Sequence, residues 1–134
     1  MEIILQTNTE DCVVKISNVT KDSFKISVLS GEFSGNGSMY HYIPKEIDRF
    51  IDEIGALDAA NEGGIAELID VEDNKLTFSK DKLGQVIVTG RLVPHSFPHQ
   101  ELQFGFITDQ TCLAPFAAEM KKARSFAGES TNGD

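Results

Sequence analysis

The stretch Pro44-Lys45-Glu46-Ile47-Asp48-Arg49-Phe50-Ile51-Asp52-Glu53-Ile54-Gly55 decides the fold class. Ile47, Phe50, Ile51 and Ile54 fall at i, i+3, i+4 and i+7, one apolar stripe along a helix. Pro44 suits the first helical position, where its missing N–H costs no hydrogen bond, and Gly55 reads as the stop. On both sides of this helix the apolar period drops to two. Upstream, Val13, Val14 and Ile16 form a β-branched run, and Phe24, Ile26 and Val28 alternate with Lys25 and Ser27. Asn18 to Asp22 between them reads as a hairpin turn. The turn-rich stretch Gly31 to Ser38 leads into Met39-Tyr40-His41-Tyr42, either as a bulged strand or as a loop before a fourth strand.

Downstream, Ile65–Ile69, Leu76 with Phe78, and Val86, Val88 and Leu92 read as three strands, with turns at Asp73-Asn74 and Asp81–Gly84. Pro94-His95-Ser96-Phe97-Pro98-His99 is a loop, and Leu102, Phe104 and Phe106 make a last amphipathic strand. Asp109 is placed to cap a second helix striped by Leu113, Phe116, Ala117 and Met120, with Lys121, Lys122 and Arg124 complementing the dipole in its last turn. Strands grouped on each side of a helix, rather than alternating with helices, predict an α+β fold. The expectation is a mainly antiparallel sheet of about 7–8 strands with two amphipathic helices packed on one face. The other face, with Lys25, Ser27, Thr89, Arg91, Glu101 and Gln103, stays wet. Residues 1–126 read as one domain and 127–134 as a flexible tail.

Charge narrows the function. The 134 residues carry 21 acids and 12 bases, a net charge of −9. Such a chain repels phosphate backbones and anionic lipid surfaces, so it is expected to bind neither nucleic acid nor membrane and to favour basic partners. Between Glu46 and Asp73 lie ten acids and one base, Arg49, so this segment alone accounts for −9. Within it, Glu46, Asp48, Asp52, Glu53, Asp58, Glu62, Asp70, Glu72 and Asp73 are the candidate binding residues. Their placement opposes local stability. Asp48 and Asp52 repel at i, i+4, a cost of about 0.2–0.5 kcal/mol, and Asp52 and Glu53 approach the helix end that prefers cations. Only Arg49, within reach of Glu46 and Glu53, offsets this along the sequence. The bland alternative is a solvated face that keeps the protein soluble.

No catalytic or cofactor motif accompanies the charge. His95 and His99 have the spacing of helical metal ligands, but Pro94 and Pro98 prevent a helix there. His41 lacks a nucleophile or carboxylate at a diagnostic spacing and reads as a structural histidine. Asp70, Glu72 and Asn74 imitate the opening of a calcium loop, yet Lys75 stands where glycine is required and Asp81 where glutamate is, so a hairpin turn is the better reading. Gly31, Gly35 and Gly37 match no nucleotide-binding spacing. Cys112, near a helix start, is a candidate reactive thiol, with a packed thiol as the simpler reading. Cys12 and Cys112 are expected to be reduced, a disulfide being the alternative. The first twelve residues have no basic n-region and do not read as a signal peptide, and no apolar run reaches the length of a membrane span, so a cytoplasmic location is expected.

The order of segments also carries a resemblance. It includes the glycine-rich Gly31-to-Tyr40 stretch, the helix after Ile43, Gly64-Ile65-Ala66-Glu67-Leu68 and Gly84-Gln85-Val86-Ile87-Val88-Thr89-Gly90. Its most specific part is Leu102-Gln103-Phe104-Gly105-Phe106-Ile107-Thr108-Asp109-Gln110-Thr111-Cys112-Leu113. Together these resemble small bacterial immunity proteins of the WapI type over roughly residues 12–122. The resemblance implies a non-enzymatic, cytoplasmic protein without cofactor that binds and neutralises a cognate toxin domain, often a basic nuclease. An acidic face would steer that association. The alternative is a small α+β ligand-binding or regulatory interaction domain without a toxin partner. Free sheet edges leave a monomer or a weak homodimer open.

Overall fold

The structure is a computed structural model that describes residues 2–5, 7, 11–59, 64–93 and 100–132, with only the backbone described for 58–59 and 128–132. Its elements are β1 (Glu2–Leu5), β2 (Cys12–Ser17), β3 (Ser23–Ser30), β4 (Phe33–Tyr40), α1 (Lys45–Ala59), β5 (Ile65–Ile69), β6 (Lys75–Lys80), β7 (Gln85–Leu92), β8 (Leu102–Asp109) and α2 (Leu113–Asn132), with a short 3-10 turn at Gln110–Cys112 before α2. The fold is α+β, with eight antiparallel strands and two helices. The strands divide into two four-stranded meanders, β1-β2-β3-β4 and β5-β6-β7-β8, rather than joining in one sheet. A helical excursion separates β4 from β5, and no ladder joins them again.

Alternation works as expected on the inner faces. Phe24, Ile26 and Val28 on β3 and Val14 and Ile16 on β2 are buried, while Lys25 is exposed. β1 was not foreseen, because four residues are too few for a period to stand out. Its register nevertheless places Ile3 opposite Ile16 and Leu5 opposite Val14, and both are buried. The open question at Gly31–Tyr42 resolves in favour of a strand, regular from Phe33 to Tyr40.

The glycines of that strand have a packing reason. Gly35 and Gly37 stand opposite Val28 and Ile26, so they face inward. Leu102 of β8 and Leu92 of β7 lie against them, and a Cβ on Gly35 would run into the Leu102 side chain. The two sheets therefore meet where β4 lacks side chains. Ser30 Oγ adds a hydrogen bond to the carbonyl of Gly105 at 3.1 Å across the same junction.

The helices join the two sheets. α1 packs on β5, β6 and α2, and α2 packs also on β1. Ile47, Phe50, Ile51, Ile54 and Leu57 of α1 share one core with Leu113, Phe116, Ala117, Met120 and Ala123 of α2. Phe78 of β6 ties them together, its ring 6.0 Å from Phe50 and 5.8 Å from Phe116. The helix pair thus spans both meanders instead of covering one face of a single sheet. Gly55 does not stop α1, since Leu57 extends the buried stripe by another turn. Lys80 of β6, itself buried, donates to the Leu57 carbonyl at 3.2 Å and supplies the cation that the end of α1 lacks. Asp109 caps the 3-10 turn through the N–H of Thr111, 2.9 Å away.

Candidate functional site

The acidic segment, contiguous in sequence, comes apart in space. On α1, Arg49 lies between Glu46 at 2.8 Å and Glu53 at 2.7 Å. The guanidinium is held above its ordinary pKa, chiefly by the Glu46 hydrogen bond. Asp48 and Asp52, which repel along the helix, turn to α2. Arg124 reaches Asp48 at 3.1 Å and Lys121 reaches Asp52 at 3.3 Å. Lys121 and Arg124 therefore do not serve the end of their own helix, which runs on to Asn132. Nor is Arg49 the only compensation. Four acids of α1 face three cations, which leaves this surface close to neutral.

Arg124 does more than neutralise. Its side chain is only 10% exposed. It donates to the carbonyls of Thr20, Lys21 and Pro44 as well as to both Asp48 oxygens. One guanidinium thereby joins α2, the start of α1 and the β2–β3 turn. The acids at that place in α1 hold the helix pair together, which accounts for a charge pattern unfavourable to the helix alone.

Asp70 is not part of a surface. It is 7% exposed, and its two oxygens accept four hydrogen bonds. The donors are the N–H groups of Tyr40 (3.0 Å), Glu72 (2.9 Å) and Asn74 (2.8 Å), and the Asn74 amide (3.1 Å). Asn74, also buried, donates to the Ser38 carbonyl at 3.1 Å and accepts from the Val93 N–H at 2.8 Å. The residues that imitate a calcium loop thus hold a turn, with the carboxylate of Asp70 turned to backbone N–H groups. Among the described residues, no cluster of three or more His, Cys, Asp or Glu fits a metal ion.

That turn projects Val71, Glu72 and Asp73, all exposed. Glu72 falls on one side, where it lines a cleft of about 590 Å³ with Tyr40, Lys25, Ser38 and Asn36. Asp73 falls on the other, in a cleft of about 490 Å³ that also contains Lys75 and Arg91, and its carbonyl accepts from Arg91 Nε at 3.1 Å. Glu62 lies outside the described residues, and of Asp58 only the backbone is described. The segment from Pro94 to His99, with both loop histidines, is likewise outside them.

The remaining candidates fall into place. His41 is 5% exposed, and its Nε2 donates to the Ile69 carbonyl at 3.1 Å, which makes it a structural tie between β4 and β5. Cys112 is buried, with its thiol donating to the Asp109 carbonyl, and no disulfide joins it to Cys12. Among the described residues, no helix is long and apolar enough to cross a membrane.

The reading of the sequence missed the apolar company of the acidic turn. Tyr42 is 79% exposed and Ile43 60%, and Tyr40, Ile69 and Val71 each exceed 40%. The Tyr40 and Tyr42 rings meet edge to face at 5.7 Å. The signal is present in Met39-Tyr40-His41-Tyr42, where two tyrosines flank the histidine.

Comparison with known proteins follows the same geometry. No curated protein matches the chain, and no solved structure does. The profile of the Immunity protein WapI-like family matches residues 18–125, from the β2–β3 turn into α2. That span includes both meanders' junction, the Arg124 tie and the acidic turn, and the chain belongs to the WapI-like immunity protein family.

Proposed function

We propose that this chain is a non-enzymatic immunity protein that binds and neutralises a cognate bacterial toxin domain of basic surface, a nuclease, in the cytoplasm of the producing cell. Family membership over residues 18–125 is the observation that carries this reading. The net charge of −9 supports it, because a nuclease must be cationic where it grips phosphates. Glu46, Asp48, Asp52, Glu53, Asp58, Glu62, Glu72 and Asp73 then contribute a field that steers encounter, while Asp70 contributes only through the turn it holds. Steering raises association rates by about tenfold or more at low salt and fades as salt screens it.

Co-expression with the toxin gene next to its own tests the reading. Growth should be rescued by this chain, and continued arrest with full expression would sink it. The electrostatic part has its own measurement. Removing charge with Asp52→Asn, Glu53→Gln and Glu72→Gln should slow association with the purified toxin domain and flatten its salt dependence. An unchanged rate and slope would leave immunity standing without steering.

A further inference from the structure

We propose that Lys75 and Arg91, on the outer face of the second meander, form the docking point for a single carboxylate, an aspartate or glutamate side chain of the toxin. The assignment rests on the immunity reading and adds a contact that acidic steering does not supply.

The register sets the two cations side by side. Ile69, Lys75, Arg91 and Gln103 fall on one line across β5, β6, β7 and β8, with Lys75 directly opposite Arg91. Leu76 and Leu92, their neighbours in sequence, are buried, so this line belongs to the outer face. Like charges directly opposite each other weaken an antiparallel pair. An anion shared between them turns that cost into an attraction. All four side chains, with Thr89 and Asp73, line the cleft of about 490 Å³.

The acids nearby leave both cations loosely held. Glu67 stands 3.5 Å from Lys75 and Glu101 3.7 Å from Arg91, farther than the roughly 2.7–2.9 Å of a charge-assisted hydrogen bond. Each acid accepts from a neutral neighbour at shorter range, Glu67 from the Thr77 hydroxyl at 3.0 Å and Glu101 from the Gln103 amide at 2.9 Å. The pairs of Arg49 on α1, at 2.7 and 2.8 Å, are closed by comparison. Asp73 meets Arg91 through its main-chain carbonyl, which accepts from Nε at 3.1 Å. That bond fixes the guanidinium and leaves its two terminal amino groups without a hydrogen-bond partner among the described residues.

A fixed guanidinium with its terminal N–H groups unengaged matches the two oxygens of a carboxylate. Lys75 adds a second positive charge on the adjacent strand. The surroundings limit how much charge the site accepts. With Glu67, Asp73 and Glu101 close by and −9 on the whole chain, a polyanion is repelled while one carboxylate is held. The exposed Ile69 at the end of the line gives a carboxylate carried on a protein surface an apolar contact beside it.

The test measures binding of the full chain to the purified, catalytically disabled toxin domain encoded beside its gene. Arg91→Gln should weaken binding by about 30-fold or more, and Lys75→Gln should weaken it less, with urea unfolding showing both variants folded. Lys15→Gln removes an equally exposed cation, 3.6 Å from Glu2 on the first meander, and should change binding by less than about twofold. Steering alone predicts otherwise, because each substitution makes the chain more negative and a basic partner then associates no more slowly. Binding of Arg91→Gln and Lys75→Gln within about twofold of the parent would overturn the proposal and leave the immunity reading intact. A parent chain that does not bind the toxin would overturn both. Carbodiimide coupling of the complex, which joins an amine to a carboxylate in direct contact, should link Lys75 to an aspartate or glutamate of the toxin. Coupling of toxin carboxylates to Lys15, Lys21 or Lys25 alone would place the contact on the first meander and overturn the assignment.

Discussion

Helix α1 and the β5–β6 turn are both acidic in sequence and differ in what their carboxylates hold together. On α1, each described acid has a basic side chain within hydrogen-bond or ion-pair reach, two of them supplied by α2. In the turn, one buried carboxylate holds the backbone so that two others project outward. The lesson is that charge summed along a chain is not charge displayed on a surface. Tertiary pairing offsets it on α1, and in the turn one carboxylate of three is turned inward to backbone N–H groups.

The comparison can be broken most severely at Asp70. Asp70→Ala leaves the N–H groups of Tyr40, Glu72 and Asn74 without their acceptor, at about 1–3 kcal/mol for each that water cannot reach. A total loss of about 3 kcal/mol or more is expected in urea unfolding. A loss under about 1 kcal/mol would mean that the turn does not depend on this carboxylate. Arg124→Ala comes next, with about 2–3 kcal/mol expected, because its charge-assisted bonds from a nearly buried guanidinium tie three elements. If urea unfolding gives less than about 0.5 kcal/mol, the α1–α2 pairing is merely superficial.

A third variant should shift stability the other way. Gly55 sits inside α1, and a Cβ there would meet no atom within 4 Å. Gly55→Ala is therefore expected to stabilise by about 0.5–1 kcal/mol, visible as a raised urea midpoint. Asp52→Asn should have the smallest effect. Its partner Lys121 is 65% exposed and the aspartate 68%, so a change within about 0.5 kcal/mol is expected. A larger loss would show that even the exposed half of the helix pairing is structural.

Much of this was legible in the chain. The stripe of Ile47, Phe50, Ile51 and Ile54 and the alternation of Phe24, Ile26 and Val28 recur as buried positions, because burial on one face is what such periods encode. The break into two meanders was not legible. Period identifies which face a residue takes, whereas the pairing of β4 with no strand of the second sheet depends on what packs against its glycines. The acids of α1 were legible as residues and misleading as a patch, since Lys121 and Arg124 lie some seventy residues away in sequence. Asp70 shows the same limit. A carboxylate in a turn looks alike from sequence whether it faces water or four N–H donors.

The contact between α2 and β1 also sets an order of events during synthesis. Residues of the first meander leave the ribosome with Ile3, Leu5, Val14 and Ile16 in place but without the helix that packs beside β1. At about 5–20 residues per second, α2 follows some 5–20 s later. Through that interval the newborn sheet carries an uncovered apolar face, and the Arg124 tie does not exist. The two meanders are therefore joined through the helix pair only after translation has passed α2.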